Sequence, residues 1–168
     1  MNKLEISNLY HIENKYQKIL NDIILQNYNP TMLNACNNQN ITNINHMSKL
    51  KILNASYNSG LDDNGIKNLN LHKIYVMNNY RITNVNHMQN LKSLYASGFL
   101  CGITDSGIKH INLKFLDASD NRNITNVNHM SNLKELYASH GCGISNKGVQ
   151  NLSLEILSNV CNPKITLK

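Results

Sequence analysis

The feature that most constrains this 168-residue chain is a segment that it contains twice. The sequence ITNVNHMQNLKSLYAS occupies residues 82–97, and ITNVNHMSNLKELYAS occupies residues 124–139, 42 positions later. A third, looser copy, ITNINHMSKLKILNAS, lies at residues 41–56. Recurrence at a fixed interval is typical of repeat architectures, in which each copy forms one unit of a stack. The sequence therefore predicts a stacked repeat protein.

A shorter period of 20 to 22 residues lies inside the long one. It is marked by the second apolar residue of each LxxL-like element, which we call the anchor. The anchors are Leu33, Leu53, Ile74, Leu94, Leu116, Leu136 and Leu157. Alternation around each anchor is the period-2 signature of a short strand whose anchor points inward and whose neighbours point outward. We therefore expect about seven short strands in a parallel sheet.

The pattern resembles the leucine-rich repeat, LxxLxLxxNxL, over nearly all of the chain after residue 29. The resemblance implies an α/β repeat fold. This fold is a right-handed leucine-rich-repeat solenoid with a curved parallel sheet on its concave face and short 3-10 or α turns on its convex face. It also implies a buried Asn five positions after each anchor, where the chain leaves the sheet and backbone groups need partners.

Asn occupies this position at Asn38, Asn58, Asn79, Asn121 and Asn162. Phe99 and Gly141 interrupt the series, and a cysteine, Cys101 or Cys142, comes soon after each interruption. We expect these two cysteines to fill the interrupted turns. The fourth turn is also one residue longer than its counterparts, which predicts a local bulge.

Two kinds of return segment alternate between the strands. In the first kind, apolar residues come at every third position, a spacing that suits a tight 3-10-like or extended return. In the second kind, ITDSGIKHI at residues 103–111 and its counterparts predict a short helix, capped by Thr104 or Ser145, with Gly107 permitting close packing. The first kind resembles internalin-like and phosphatase-regulator-like repeats, and the second resembles the cysteine-containing repeats of many F-box proteins. Alternation of two classes explains why close copies recur at about twice the short period.

Residues 1–28 are predicted to form an N-terminal capping helix, with the repeats occupying residues 29–168. Apolar residues at helical spacing precede Pro30, namely Leu9, Ile12, Tyr16, Ile19, Leu20, Ile23 and Ile24. A solenoid exposes apolar core at its first turn, and an amphipathic helix there would cover it.

Composition and charge restrict the classes of partner. The net charge of +6 favours encounters with anions, but the lysines are spread along the chain instead of forming a run, so we do not expect a nucleic-acid partner. The first residues carry no basic-then-apolar signal, and no apolar run approaches the ~18 residues of a membrane span. We expect an intracellular, cytoplasmic protein with no membrane association.

No catalytic or cofactor-binding motif is present, and we expect neither enzyme activity nor a cofactor. His46, His87 and His129 share one repeat position, which raises the possibility of a metal site. They are two strands apart, about 10 Å, too far for one ion with ligand bonds of about 2 Å. We therefore interpret them as hydrogen-bonded turn histidines and predict no metal site.

The residues that the repeat does not constrain give the candidate binding site. On the concave face we predict a partner-binding surface made of Tyr75, Tyr95, Phe115, Asp117, Tyr137, Lys73 and Glu135. Exposed aromatic side chains supply rigid contact area and concentrate in binding hot spots, although a sheet surface also simply tolerates tyrosine. The predicted function is a non-enzymatic protein-binding module with a protein partner.

Two alternatives remain open. We expect the last strand, around residues 154–160, to be an exposed sheet edge unless something covers it, and Ile156, Leu157, Val160 and Ile165 could then pair two chains into a homodimer. The cysteine-containing repeats also suggest a substrate receptor of a ubiquitin ligase. The segment before the repeats is short for the helical bundle that an F-box would need.

Overall fold

The structure, a computed structural model, describes residues 8–9 and 18–166. These residues form a solenoid whose strands lie in one sheet. Strand order follows chain order, and every neighbouring pair is parallel. The described strands are β1 (Asn8–Leu9), β2 (Met32–Asn34), β3 (Ile52–Asn54), β4 (Lys73–Tyr75), β5 (Ser93–Tyr95), β6 (Phe115–Asp117), β7 (Glu135–Tyr137) and β8 (Ile156–Ser158).

The predicted anchors are the central residues of strands β2 to β8, and they pair with one another in register. The first six anchors are fully buried, whereas Leu157 on the last strand is half-buried. Successive side chains of a strand point to opposite faces, so a register that aligns the anchors also places both outward columns on one surface. The core is one continuous stack of Leu, Ile, Val, Met and Ala side chains.

One-turn helices form every second return. They are α1 (Asp22–Leu25), α2 (Asp63–Ile66), α3 (Asp105–Ile108) and α4 (Asn146–Val149). Asn21 and Asp62 cap the first two through Oδ1, which accepts the N–H of Ile24 and Gly65. Thr104 and Ser145 occupy the N-cap positions of α3 and α4 as predicted, but neither side chain accepts a capping hydrogen bond from a helix N–H; the Thr104 hydroxyl lies 2.8 Å from that of Ser106. Instead, the backbone carbonyl of Thr104 accepts the Gly107 N–H at 3.0 Å.

The helical prediction for the N-terminal segment is wrong for Leu9. Leu9 lies in strand β1, beside Leu33, and is buried. Between residues 18 and 28 the helix is a single turn, in which Leu25 is buried, while Ile19 and Ile23 are 60% and 76% exposed. Leu25 occupies the place that Ile66 takes in α2, so this segment belongs to a further turn of the solenoid. Stacking on the next turn has overridden the local helical spacing. Ile12 and Tyr16 lie outside the described residues.

Buried asparagines close every second turn. Asn38, Asn79, Asn121 and Asn162 each accept the N–H of the residue two positions later and donate Nδ2 to a carbonyl of the preceding turn. The prediction for Asn58 is wrong: Asn58 is exposed and Ser59 is buried in its place. The intervening turns are filled by Ser59, Cys101 and Cys142, as expected for the two cysteines. Burial raises the pKa of the Cys101 thiol to about 11 and also raises the pKa of Cys142.

Each turn also contains a left-handed residue four positions after its anchor. These residues are Asn37, Tyr57, Asn78, Gly98, Asp120, His140 and Cys161. The conformation keeps the backbone N–H directed at the next turn, so that Tyr57 donates to Met77 and His140 to Val160, each at 2.7 Å. The chain therefore continues its hydrogen-bonded ladder past the end of the strand before it turns away.

Candidate functional site

Most polar residues of the repeated motif are used in stacking the turns. In the copy at residues 82–88, Thr83 donates its N–H and hydroxyl to the Asp63 carboxylate at 2.8 and 2.6 Å. Asn86 donates Nδ2 to the Ser106 carbonyl of the following turn at 2.8 Å. His87 Nε2 lies 3.2 Å from the Ile66 carbonyl of the preceding turn. The motif therefore recurs because one copy bonds to the turn on each side of it.

The three repeated histidines are hydrogen-bonded turn residues, as predicted. His46, His87 and His129 place Nε2 3.0 to 3.2 Å from the last helical carbonyl of the preceding turn. A carbonyl can only accept, so Nε2 carries the proton. Within residues 8–9 and 18–166, no group of three or more His, Cys, Asp or Glu residues is arranged to hold a metal ion.

The predicted concave-face aromatics come together in one column. Ring centroids lie 4.3 Å apart for Tyr75 and Tyr95, 4.6 Å for Tyr95 and Phe115, and 5.5 Å for Phe115 and Tyr137. The first pair is stacked, with an interplanar angle of 18°. We call these four residues the aromatic column. It crosses strands β4 to β7. The three tyrosines share one register position, whereas Phe115 stands two residues before that position on β6, and its ring contacts those of Tyr95 and Tyr137.

Ring stacking gives the aromatic column a structural role as well as a surface. Aromatic pairs at these centroid distances contribute about 0.5–1.5 kcal/mol per pair to stability, in addition to the effect of the area that they bury. The inner rings, Tyr95 and Phe115, each contact an aromatic ring on both neighbouring strands.

Charged side chains of both signs flank the aromatic column. Lys73 Nζ lies 5.8 Å from the ring centroid of Tyr75 and 5.7 Å from that of Tyr95. Further along the sheet, Asp117 on β6 shares the register position of Tyr95, and Glu135 on β7 shares that of Phe115 and Lys73. Burial contributes most to raising the pKa of Tyr95. The neighbouring Tyr75 and the carboxylates of Asp117 and Glu135 raise this pKa further. Its hydroxyl therefore keeps its proton at neutral pH and can donate a hydrogen bond.

A second aromatic surface lies where the chain leaves the strands, and sequence reasoning missed it. Tyr57, Tyr80, Phe99 and Leu100 are 45%, 59%, 61% and 66% exposed. Together with Asn37, Asn58 and Asn78 they line a cavity of about 400 Å³, which we call the loop groove. One signal was available: Phe99 interrupts the Asn series, and the fourth turn carries an extra residue.

The predicted self-association edge is smaller than expected. Ile156 and Val160 are 45% and 61% exposed, and Leu157 is half-buried. The assignment of Ile165 to this edge is wrong, because Ile165 is only 5% exposed. It stands eight positions after its anchor, where every turn places an inward apolar residue, and the buried Asn162 turns the chain toward the core.

The lysines that precede the strands form a solvated rim. Lys51, Lys92, Lys114 and Lys134 are exposed, and their backbone carbonyls accept the N–H groups of the next strand. Lys134 Nζ also lies 3.1 Å from Glu155. Exposed pairs of this kind contribute little, about 0–1 kcal/mol.

No protein-family model and no curated protein matches this chain. None of the helices in the described ranges has the length or the apolar composition of a membrane-spanning helix.

Proposed function

We propose that this chain is a leucine-rich-repeat protein of two alternating repeat classes that acts as a non-enzymatic protein-binding module. The partner protein would dock on the concave face, across the aromatic column. The observation that carries the proposal is the column itself: four aromatic side chains in contact across four consecutive strands.

The chemistry of this surface suits a folded protein surface better than a small molecule. Ring edges and tyrosine hydroxyls offer both apolar area and hydrogen bonds, and tyrosine loses little side-chain entropy on binding. Lys73 on β4 and the pair Asp117 and Glu135 on β6 and β7 supply opposite charges two to three strands apart along the sheet. Such a pattern favours a partner with complementary charges, which would orient it along the solenoid.

Affinity capture from native-cell lysate tests the proposal, with bound proteins read by mass spectrometry. The wild type is compared with a variant carrying Tyr75→Ser, Tyr95→Ser and Tyr137→Ser. The matched control carries Tyr57→Ser, Tyr80→Ser and Phe99→Ser, which removes as many exposed rings from the loop groove. All three proteins are first shown to be folded by circular dichroism.

We expect a partner that is retained by the wild type and the control but lost, at least ~10-fold, with the concave-face variant. Partners captured equally by all three proteins would contradict binding on the concave face.

A second candidate function is self-assembly through β8, which has a strand neighbour on one side only among the described residues. Exposed Ile156 and Val160 next to this edge favour it. Light scattering over a wide concentration range would then show a dimer for the wild type and a monomer for Val160→Asp. A monomer mass at every concentration would exclude self-assembly through β8.

The third hypothesis, a ubiquitin-ligase substrate receptor, rests on the repeat resemblance alone.

A further inference from the structure

The loop groove is assembled from three consecutive turns. Tyr57 comes from the turn after β3, Tyr80 from the turn after β4, and the pair Phe99 and Leu100 from the turn after β5. All four side chains are substantially exposed, whereas the turns after β2, β6 and β7 carry small or polar residues at the equivalent positions. The groove lies outside the concave face, so it is independent of the proposed function.

Comparison of two equivalent turns shows that the fold does not need these apolar side chains. The fourth turn reads SGFLCG at residues 97–102, and the sixth reads SHGCG at residues 139–143. Both bury their cysteine and both place a left-handed residue directly after the serine. The fourth turn therefore contains one residue more, and two large apolar side chains, beyond what stacking requires.

The groove is rigidly held. The Gly98 backbone has a φ of +101°, and a Cβ there would collide with the Asn78 side chain, so Asn78 packs directly over this turn. Asn78 Oδ1 accepts the Leu100 N–H at 3.2 Å, and Asn37 Oδ1 accepts the Asn58 N–H at 3.3 Å. Because Oδ1 of each amide is used in this way, the Nδ2 group is the one that can donate to a peptide carbonyl or a carboxylate.

The charges around the groove are positive. The Arg81 guanidinium lies 5.3 Å from the ring centroid of Tyr80, and that of Arg122 lies 5.2 Å from the ring centroid of Phe99. One carboxylate, Asp120, lies in the turn after β6 and accepts the Gly141 N–H. An apolar floor between two guanidinium groups is complementary to an apolar side chain flanked by carboxylates.

We propose that the loop groove binds an extended peptide segment in which an aromatic or long aliphatic side chain is flanked by Asp or Glu. The apolar side chain fills the cavity between Tyr57, Tyr80 and Leu100. The carboxylates meet Arg81 and Arg122, and the amides of Asn37 and Asn78 donate to the peptide backbone.

Selection from a phage-displayed library of random dodecapeptides on the full-length chain tests this site, followed by anisotropy measurements with a selected synthetic peptide. In the main variant, residues 97–102 are replaced by SGGCG, the sequence of the sixth turn with Gly98 retained because a Cβ there would collide with Asn78. Leu100→Ser, a single exposed change, serves as the second variant should the loop replacement not fold. Tyr95→Ser on the concave face is the matched control.

We expect enrichment of apolar residues within two positions of Asp or Glu, and a Kd at least ~10-fold weaker for the loop replacement and for Leu100→Ser. Tyr95→Ser should leave the Kd within about twofold. Arg122→Gln should weaken binding several-fold and reduce its dependence on salt, since a screened charge pair has been removed.

Three results would overturn the proposal. One is a library that yields no acidic and apolar consensus. Another is peptide binding that survives both the loop replacement and Leu100→Ser. The third is competition for the groove. Displacement of the peptide by a 15-mer oligothymidine would mean that the groove binds a nucleic acid, and displacement at raised concentrations of the chain itself would mean that it binds a second copy.

Discussion

At the residue scale, the position four residues after each anchor controls how the chain leaves the sheet. Six of these positions between residues 37 and 161 hold a non-glycine residue with φ between +52° and +59°. A left-handed conformation is unfavourable for a residue with a Cβ. In all of them except Cys161, the backbone N–H donates to a carbonyl of the next turn, which stabilises the conformation. Two residues of this series, Gly98 and His140, give opposite predictions.

Gly98→Ala is expected to lower the free energy of unfolding by about 1–3 kcal/mol. The new Cβ would collide with the Asn78 side chain, and the φ of +101° is strained for alanine. His140→Gly, at an exposed position with a φ of +55°, is expected to raise the free energy of unfolding by about 0.5 kcal/mol, because glycine adopts this conformation without strain. Urea denaturation monitored by circular dichroism measures both. If both variants changed the free energy of unfolding by the same amount in the same direction, the left-handed conformation at this position would not determine stability.

The cysteines give a second prediction at the residue scale. Burial raises the pKa of Cys101 to about 11, and that of Cys142 also rises, so neither forms much thiolate at pH 8. Cys161 is exposed. Reaction with a thiol reagent followed by peptide mass spectrometry should therefore label Cys161 promptly and label Cys101 and Cys142 only after denaturation. Prompt labelling of Cys101 in the folded protein would show that its turn is open.

At the element scale, each one-turn helix is tied to the next return segment. The first helical residue does this: Asp63 accepts the N–H and hydroxyl of Thr83 and the N–H of Asn84, and Asp105 does the same for Thr125 and Asn126. A helix of four residues has little stability of its own, so these bonds and the buried side chains hold it in place.

Asp63→Ala is expected to cost about 1–3 kcal/mol, because two backbone N–H groups and a hydroxyl lose their partner. Asn64→Ala, one residue further along the same helix, is the control: the Asn64 side chain is exposed, and the change should cost less than about 0.5 kcal/mol. Chemical denaturation of both variants checks the difference. If the two costs were equal, the Asp63 contacts would contribute nothing to stacking.

The sheet gives a further prediction at the element scale, which compares its two faces. Leu116→Ala removes a fully buried side chain from the middle of the stack and is expected to cost about 2–5 kcal/mol. Tyr95→Ala removes a half-buried ring with two aromatic neighbours, and we expect about half of that cost or less. Thermal unfolding of both variants checks the order, and a larger loss for Tyr95→Ala would mean that the aromatic column stabilises the fold more than the core does.

At the scale of the whole molecule, stability is approximately a sum of turns and of the interfaces between neighbouring turns. The last described turn has a half-buried anchor, Leu157, and among the described strands β8 pairs only with β7. We expect native-state hydrogen exchange to be fastest in β8 and slowest in β4 to β6, because an end turn can open without breaking a second interface. Uniform protection along the sheet would contradict this nearest-neighbour account, unless the chain were shown to be a dimer through β8.

The sequence by itself determined the strands, their anchors and the face to which each side chain points. A period of two within each strand and a period of about 20 between strands leave one arrangement that buries every anchor. Leu33, Leu94 and Leu136 are therefore found where the pattern places them, and so is the aromatic column, because each of its residues stands next to an anchor.

The tertiary structure alone decided which residues meet between turns. Leu9 joins the sheet because a neighbouring strand offers backbone partners, a gain that local helical spacing cannot reveal. Ser59 replaces Asn58, and Ile165 is buried, because the path of each loop follows the turn below it. The loop groove is the clearest case: its residues are about 20 positions apart in the chain, so only the stacking distance between turns brings Tyr57, Tyr80 and Phe99 to one surface.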